Sequence, residues 1–153
     1  EEANNLALSD TKRTKEMNDK LTGMLAEMKA SYPSYNPHYK KELEHKETVP
    51  TVVSEQKKNG KVTFRYKENG AKVIKANLIY TTNGGDKYEE WFKADAKINN
   101  DGTVTAVLPK GTTHYIINLI DEHNFLVSFP ELPSKNALKK QKKKYSKYAL
   151  SAK

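Results

Sequence analysis

Across residues 51–132 apolar side chains recur at every second position, in short runs broken by glycine-bearing turns. That alternation fits half-buried strands and excludes a helical body. Val62, Phe64 and Tyr66 alternate with Lys61, Thr63, Arg65 and Lys67, and Ala76, Leu78 and Tyr80 form one face of the next run. Val104, Ala106 and Leu108, then Tyr115, Ile117 and Leu119, then Phe125, Val127 and Phe129 form three more faces. Asn59-Gly60, Asn69-Gly70, Asn83-Gly84-Gly85, Asn99–Gly102, Pro109–Gly111 and Asp121–Asn124 supply the turn chemistry between them. With Thr51–Ser54 and Tyr88–Ala94 added, the stretch reads as about seven short strands at roughly ten-residue spacing, the pattern of an antiparallel β-sandwich. Tyr115–Ile120 is apolar on nearly both faces, so it is expected to be a central strand.

The flanks obey other rules. Residues 9–29 read as an amphipathic helix, with Ser9 or Asp10 able to cap it and Met17, Leu21, Met24 and Met28 on one stripe that Leu25 widens. Gly23 weakens it by about 1 kcal/mol relative to Ala, and Tyr32-Pro33 is expected to end it. Residues 31–50, with Pro33, Pro37 and Pro50 and no sustained period, read as a linker with a domain boundary near Val49. Residues 134–153 have Leu138, Tyr145, Tyr148 and Ala149 near helical spacing, so a second, basic helix is expected there. Three parts follow: 1–48, 49–133 and 134–153.

Charge narrows the function classes. The chain carries a formal +8, yet Ser134–Lys153 holds eight lysines and no acid, leaving 19 basic and 19 acidic groups elsewhere. The body is neutral and only the appendage basic, and no base-reading motif accompanies the lysines, so sequence-specific nucleic-acid binding is not expected. The tail, with Lys139, Lys140, Lys142, Lys143 and Lys144 at its densest point, either holds a polyanion (a sulfated polysaccharide, an anionic membrane surface or nucleic acid) or serves only as a solvated, partly frayed helix. Cysteine is absent, which removes disulfides and thiolate chemistry. No apolar run is long enough to span a bilayer, and Glu1-Glu2 is not the start of a signal peptide.

Convergent catalytic groups are missing from the pattern. His38 and His45 stand seven apart in the linker, which is not the i, i+4 spacing of a helical metal pair. His114 opens a strand and His123 lies in a turn. The chain contains no G-x-S-x-G elbow, Walker loop or H-E-x-x-H. The Asn99–Gly102 cluster lacks the spacing of a calcium loop and reads as a hairpin turn. The region is therefore expected to be non-catalytic, without cofactor or metal. Trp91 and Tyr88, with Phe92, could form a glycan platform, although the chain's single Trp serves equally well as an anchor of the core or its edge.

Two segments resemble known families. Glu2-Ala3-Asn4-Asn5-Leu6-Ala7, the helix after it, and Pro33-Ser34-Tyr35-Asn36-Pro37-His38-Tyr39 resemble, in order and spacing, the E-x-x-N-L-A, amphipathic helix and P-x-x-N-P-x-Y that close the catalytic domain of type I, formylglycine-dependent sulfatases. This likeness covers about a quarter of the chain. Residues 60–132 are similar to a C-terminal immunoglobulin-like module of some secreted bacterial hydrolases, sulfatases and esterases among them. The similarity is carried by Ala76–Thr82, Trp91, Val104–Pro109, Gly111–Tyr115, Asn118-Leu119 and Asp121-Glu122. The resemblance implies a C-terminal accessory region of an extracytoplasmic sulfatase acting on sulfate esters of carbohydrates. Its partner would be the catalytic domain of its own parent chain, where formylglycine and calcium would sit. The C/S-x-P-x-R signature has no counterpart here, because Ser31–Tyr35 and Ser128–Leu132 both lack the Arg, so no catalytic residue carries over. A carbohydrate-binding module, a purely structural domain, and the same module from an esterase are the rival readings.

Overall fold

The computed structural model describes residues 7–28, 30, 33–39, 41–133 and 144–153. The chain divides into two compact units, Glu1–Pro33 and Ser34–Lys153. In the first, helix α1 runs Thr11–Glu27, inside the expected 9–29. Asp10, not Ser9, is the cap: its carboxylate accepts from Arg13 N at 3.1 Å and so satisfies one orphan amide of the first turn. The helix closes before the Tyr32-Pro33 pair, with Met28 N on Met24 O at 3.0 Å and Ala30 N reaching Leu25 O at 2.9 Å. No residue of α1 is buried. Met17, Leu21, Met24 and Met28 are 64%, 54%, 51% and 71% exposed, so no described residue of this unit covers the stripe that would stabilise a helix of this length. A Cβ at Gly23 would meet nothing within 4 Å. Gly23→Ala is therefore expected to stabilise α1 by about 1 kcal/mol, read as increased helical ellipticity of the whole chain. Unchanged ellipticity would mean that backbone propensity does not limit this helix.

The second unit is mainly β over its described residues. One antiparallel sheet has the order β1-β2-β6-β5, from Thr51–Lys58, Lys61–Lys67, Thr103–Val107 and Lys97–Ile98. The other has the order β4-β3-β7-β8, from Phe92–Asp95, Val73–Thr81, His114–Asp121 and Leu126–Phe129, with β9, Leu150–Ser151, also paired to β7. The expected alternation sets the faces. Val62 and Phe64 lie opposite Ala106 and Val104 on one sheet, and Ala76 and Leu78 lie opposite Leu119 and Ile117 on the other. All of these join Val52, Val73 and Tyr115 in one buried cluster shared by the two sheets. Phe64 meets Tyr115 and Phe129 of the facing sheet edge-on, at centroid distances of 6.3 and 6.4 Å. Tyr115 also donates to Glu55 Oε1 of β1 at 2.7 Å; burial first, and then the neighbouring carboxylate, push its phenol pKa upward. As expected, β7 is central, with β3 on one side and β8 and β9 on the other.

Asn59-Gly60, both at positive φ (52° and 72°), makes the two-residue turn that sets Lys58 opposite Lys61. The Asn99–Gly102 cluster is the turn of the β5–β6 hairpin, closed by Asn99 N on Thr103 O at 2.9 Å.

Three expectations are corrected. Among the described residues there are nine strands rather than seven, because β5 and β9 each span only two residues, too short to show a period. The run Tyr88–Ala94 is not one strand: β4 begins at Phe92, and Tyr88–Trp91 lie outside it. The C-terminal segment is not a helix over its described part, since Tyr145–Tyr148 form a 3-10 turn followed by β9. Leu150 and Ala152 pack on the core, and Ala152 N donates to Thr113 O at 2.9 Å. Packing thus overrides the helical spacing; the remainder of the expected helix, 134–143, lies outside the described residues.

The stretch read as a linker is joined to the β unit. Tyr35 forms a parallel bridge with Phe125, with Tyr35 N on Asn124 O at 2.8 Å and Leu126 N on Tyr35 O at 2.9 Å. Further on, Asn69 Nδ2 holds Val49 O at 2.8 Å and Thr51 Oγ1 at 2.9 Å.

Candidate functional site

The expected aromatic residues sit on or beside the loop between β3 and β4, residues 82–91. Asn83 organises this loop from within. Its Oδ1 accepts from Thr81 Oγ1 at 2.9 Å and Glu90 N at 3.0 Å, and its Nδ2 donates to Tyr88 O at 2.8 Å. Gly84 is required by close approach, because a Cβ there would stand 2.2 Å from His114 Nδ1 and 2.9 Å from Thr113 Oγ1. Its N–H donates to that same Thr113 hydroxyl at 3.0 Å.

The centre of the loop is Glu89, which sequence reasoning did not single out. One carboxylate oxygen accepts from Gly85 N at 3.0 Å and from Ser146 Oγ; the other accepts from Trp91 Nε1 at 3.3 Å and Ser146 N at 3.2 Å. Burial acts to raise the Glu89 pKa, but the bonds from Ser146, Gly85 and Trp91 outweigh it and hold the carboxyl below its ordinary value. Lys144 Nζ donates to Gly85 O on the same loop. Glu89 is thus a latch that fastens the C-terminal segment to the β3–β4 loop.

This arrangement decides what the expected site residues can do. Trp91 is half-buried, with its indole N–H used on Glu89. Tyr88 is 75% exposed, beneath Lys87 Nζ at 5.2 Å from its ring centroid. Phe92 pairs with Tyr80 at 5.7 Å. No ring contact joins Tyr88 to Trp91 among the described residues, so the structure does not assemble these two into one platform. Lys144 is engaged with the loop, while Lys139, Lys140, Lys142 and Lys143 lie outside the described residues.

The histidines are dispersed. His45, at a positive φ of 63°, stacks on His123 with ring centroids 3.8 Å apart and nearly parallel planes. His114 Nδ1 lies 3.2 Å from Thr113 Oγ1. His38 Nε2 lies 3.4 Å from Glu131 Oε1. This last pair stands at a second, unforeseen location: an open cleft of about 460 Å³ between residues 34–38 and β8. It was not legible in the sequence because its two walls, about 90 residues apart, meet only in the folded chain, through the Tyr35–Phe125 bridge and its neighbours. Among the described residues no three acidic or histidine side chains gather as a metal-binding group. No helix among them is long and apolar enough to cross a membrane.

Fold and loop together define a mainly β unit of two antiparallel sheets with a latched C-terminus; the amphipathic helix belongs to a separate unit. In comparison with known proteins, the chain matches no family model, no curated protein and no solved structure.

Proposed function

We propose that this chain is the non-catalytic C-terminal accessory region of an extracytoplasmic sulfatase acting on carbohydrate sulfate esters. In this reading residues 1–48 are the closing helix and tail of the catalytic domain plus a linker, and residues 49–133 are an appended immunoglobulin-like sandwich. The observation that carries it is the exposed Met17-Leu21-Met24-Met28 stripe on α1. An apolar stripe of this kind calls for a partner surface, and the helix is followed by the Pro33–Tyr39 segment that resembles the family's terminal motif. Support for the sandwich class comes from strand order. Labelled A, B, C, C′, D, E, F and G along the chain, β1–β8 form the sheets A-B-E-D and C′-C-F-G, an immunoglobulin-like arrangement.

The test is to extend the chain upstream in its own gene and assay the longer protein. The expected result is a C/S-x-P-x-R signature, sulfate release from an aryl sulfate, and a parent enzyme that Leu21→Lys with Met24→Lys destabilises. A G-x-S-x-G elbow with ester hydrolysis would replace the sulfatase reading by the esterase one. Substrate retention by the lysines is tested by changing Lys139, Lys140, Lys142 and Lys143 to Ser, which spares the latched segment that a truncation at Pro133 would remove. Binding to a sulfated polysaccharide is expected to fall in that variant, and to fade for the unaltered chain as salt rises. Equal binding by both would remove the lysines from the role.

A further inference from the structure

We propose that the cleft between residues 34–38 and β8 binds a neutral sugar unit of a polysaccharide. At about 460 Å³ it falls within the roughly 300–1,000 Å³ of small-ligand sites. Tyr35 forms part of its wall and is 53% exposed. Its backbone is fixed on both sides by Asn124 and Leu126, and its ring rests on Phe125 at a centroid distance of 5.4 Å. The exposed part of the ring therefore offers a pre-positioned apolar surface, suited to the C–H face of a pyranose, with a phenol at its rim.

The polar groups around it suit hydroxyls. Asn36 uses its Oδ1 to accept His38 N at 2.9 Å, leaving the two amide hydrogens of Nδ2 for a ligand. Ser128 donates its hydroxyl to Asn118 Oδ1 at 2.9 Å and keeps lone pairs to accept with. Leu126 turns its N–H outward to Tyr35, and Ser128, two residues further along the strand, shares that orientation. Its backbone N–H and C=O therefore face the cleft as well. Ser34 adds a further hydroxyl to the wall.

Charge selects the ligand class. The ionisable side chains of the cleft, His38 and Glu131, face each other at 3.4 Å. A sulfate or carboxylate brought here would meet the Glu131 carboxylate, so an uncharged polyol is favoured over an anionic one. An extended peptide added to the β8 edge is disfavoured. The chain's own Tyr35 already occupies one rung, and residues 37–38 turn away from the edge, leaving only the Ser128 rung. The choice of a saccharide rests on the carbohydrate context proposed above, whereas the position of the site and its disfavour towards anions rest on its geometry and on Glu131.

The experiment is titration calorimetry of the 153-residue chain against neutral oligosaccharides from xylan, mannan, galactan and cellulose, with carrageenan and heparin as sulfated probes. At least one neutral oligosaccharide is expected to bind. Tyr35→Ala is expected to weaken it about tenfold or more. Tyr35→Phe, which keeps the ring and its contact with Phe125, should retain most of the affinity and reports on correct folding. Trp91→Ala should leave it unchanged. Binding of no neutral sugar, or binding indifferent to Tyr35→Ala, overturns the proposal. Binding of carrageenan or heparin alone also overturns it while leaving the sulfatase reading intact. Sulfate release by the longer protein tests that reading separately.

Discussion

Phe64→Ala is expected to lower the unfolding free energy by about 3–5 kcal/mol, the largest effect of any single change considered for this chain. Phe64 is completely buried, and its ring is the point at which one sheet touches Tyr115 and Phe129 of the other. Truncation removes the transfer free energy of the ring and leaves a cavity between two rigid layers that close only partly around it. Against a domain stability of about 5–15 kcal/mol, the variant should melt at much lower urea and temperature, followed by near-ultraviolet circular dichroism. A loss below about 1 kcal/mol would mean that the sheets do not depend on this shared core.

Glu89→Ala is expected to cost about 1.5–2 kcal/mol, the lower part of the range for hydrogen bonds to a charged group because the carboxylate is only half-buried. Its chief signature is local. Amide protection at Leu150 and Ser151 should fall while that of Ile117 is largely kept, because Ser146 and the segment after it lose their fastening to the loop. The effect has a definite pH dependence. The Glu89 pKa is depressed in the folded chain, so its contribution is fully present above the unfolded value of about 4.3. That contribution is lost as pH falls through the lower folded value. The gap in stability between the unaltered chain and Glu89→Ala should therefore be constant near neutrality and shrink in acid. A gap that stays the same at the lowest pH at which the chain remains folded would show that the charge is not what the latch uses.

The two changes separate what is readable from what is not. Phe64 announces itself in the sequence, since it stands between Val62 and Tyr66 in a clean alternation and opposite an equally clean one at Val104 and Ala106. Turn residues fix such strands locally, as Asn59-Gly60 does for β1 and β2. Glu89 announces nothing. It is one acid among several, and its role exists only because Ser146, 57 residues away, is brought to it. The same holds for the Tyr35 cleft, where Ser34 and Asn124 meet across 90 residues of chain. Trp91 drew notice as the lone Trp, but the partner of its indole N–H, Glu89, is visible only in the folded loop.

From its sequence alone this protein is a helix with one apolar stripe, followed by alternating strands with a central β7, because those patterns are periodic and their signals lie within a few residues of each other. Only the tertiary structure decided the pairing order of the two sheets, the conversion of the expected C-terminal helix, over its described part, into a 3-10 turn and β9, the Glu89 latch and the cleft beside β8. Each of these depends on contacts between distant residues, and there burial and hydrogen bonding outweigh the local preferences that a sequence displays.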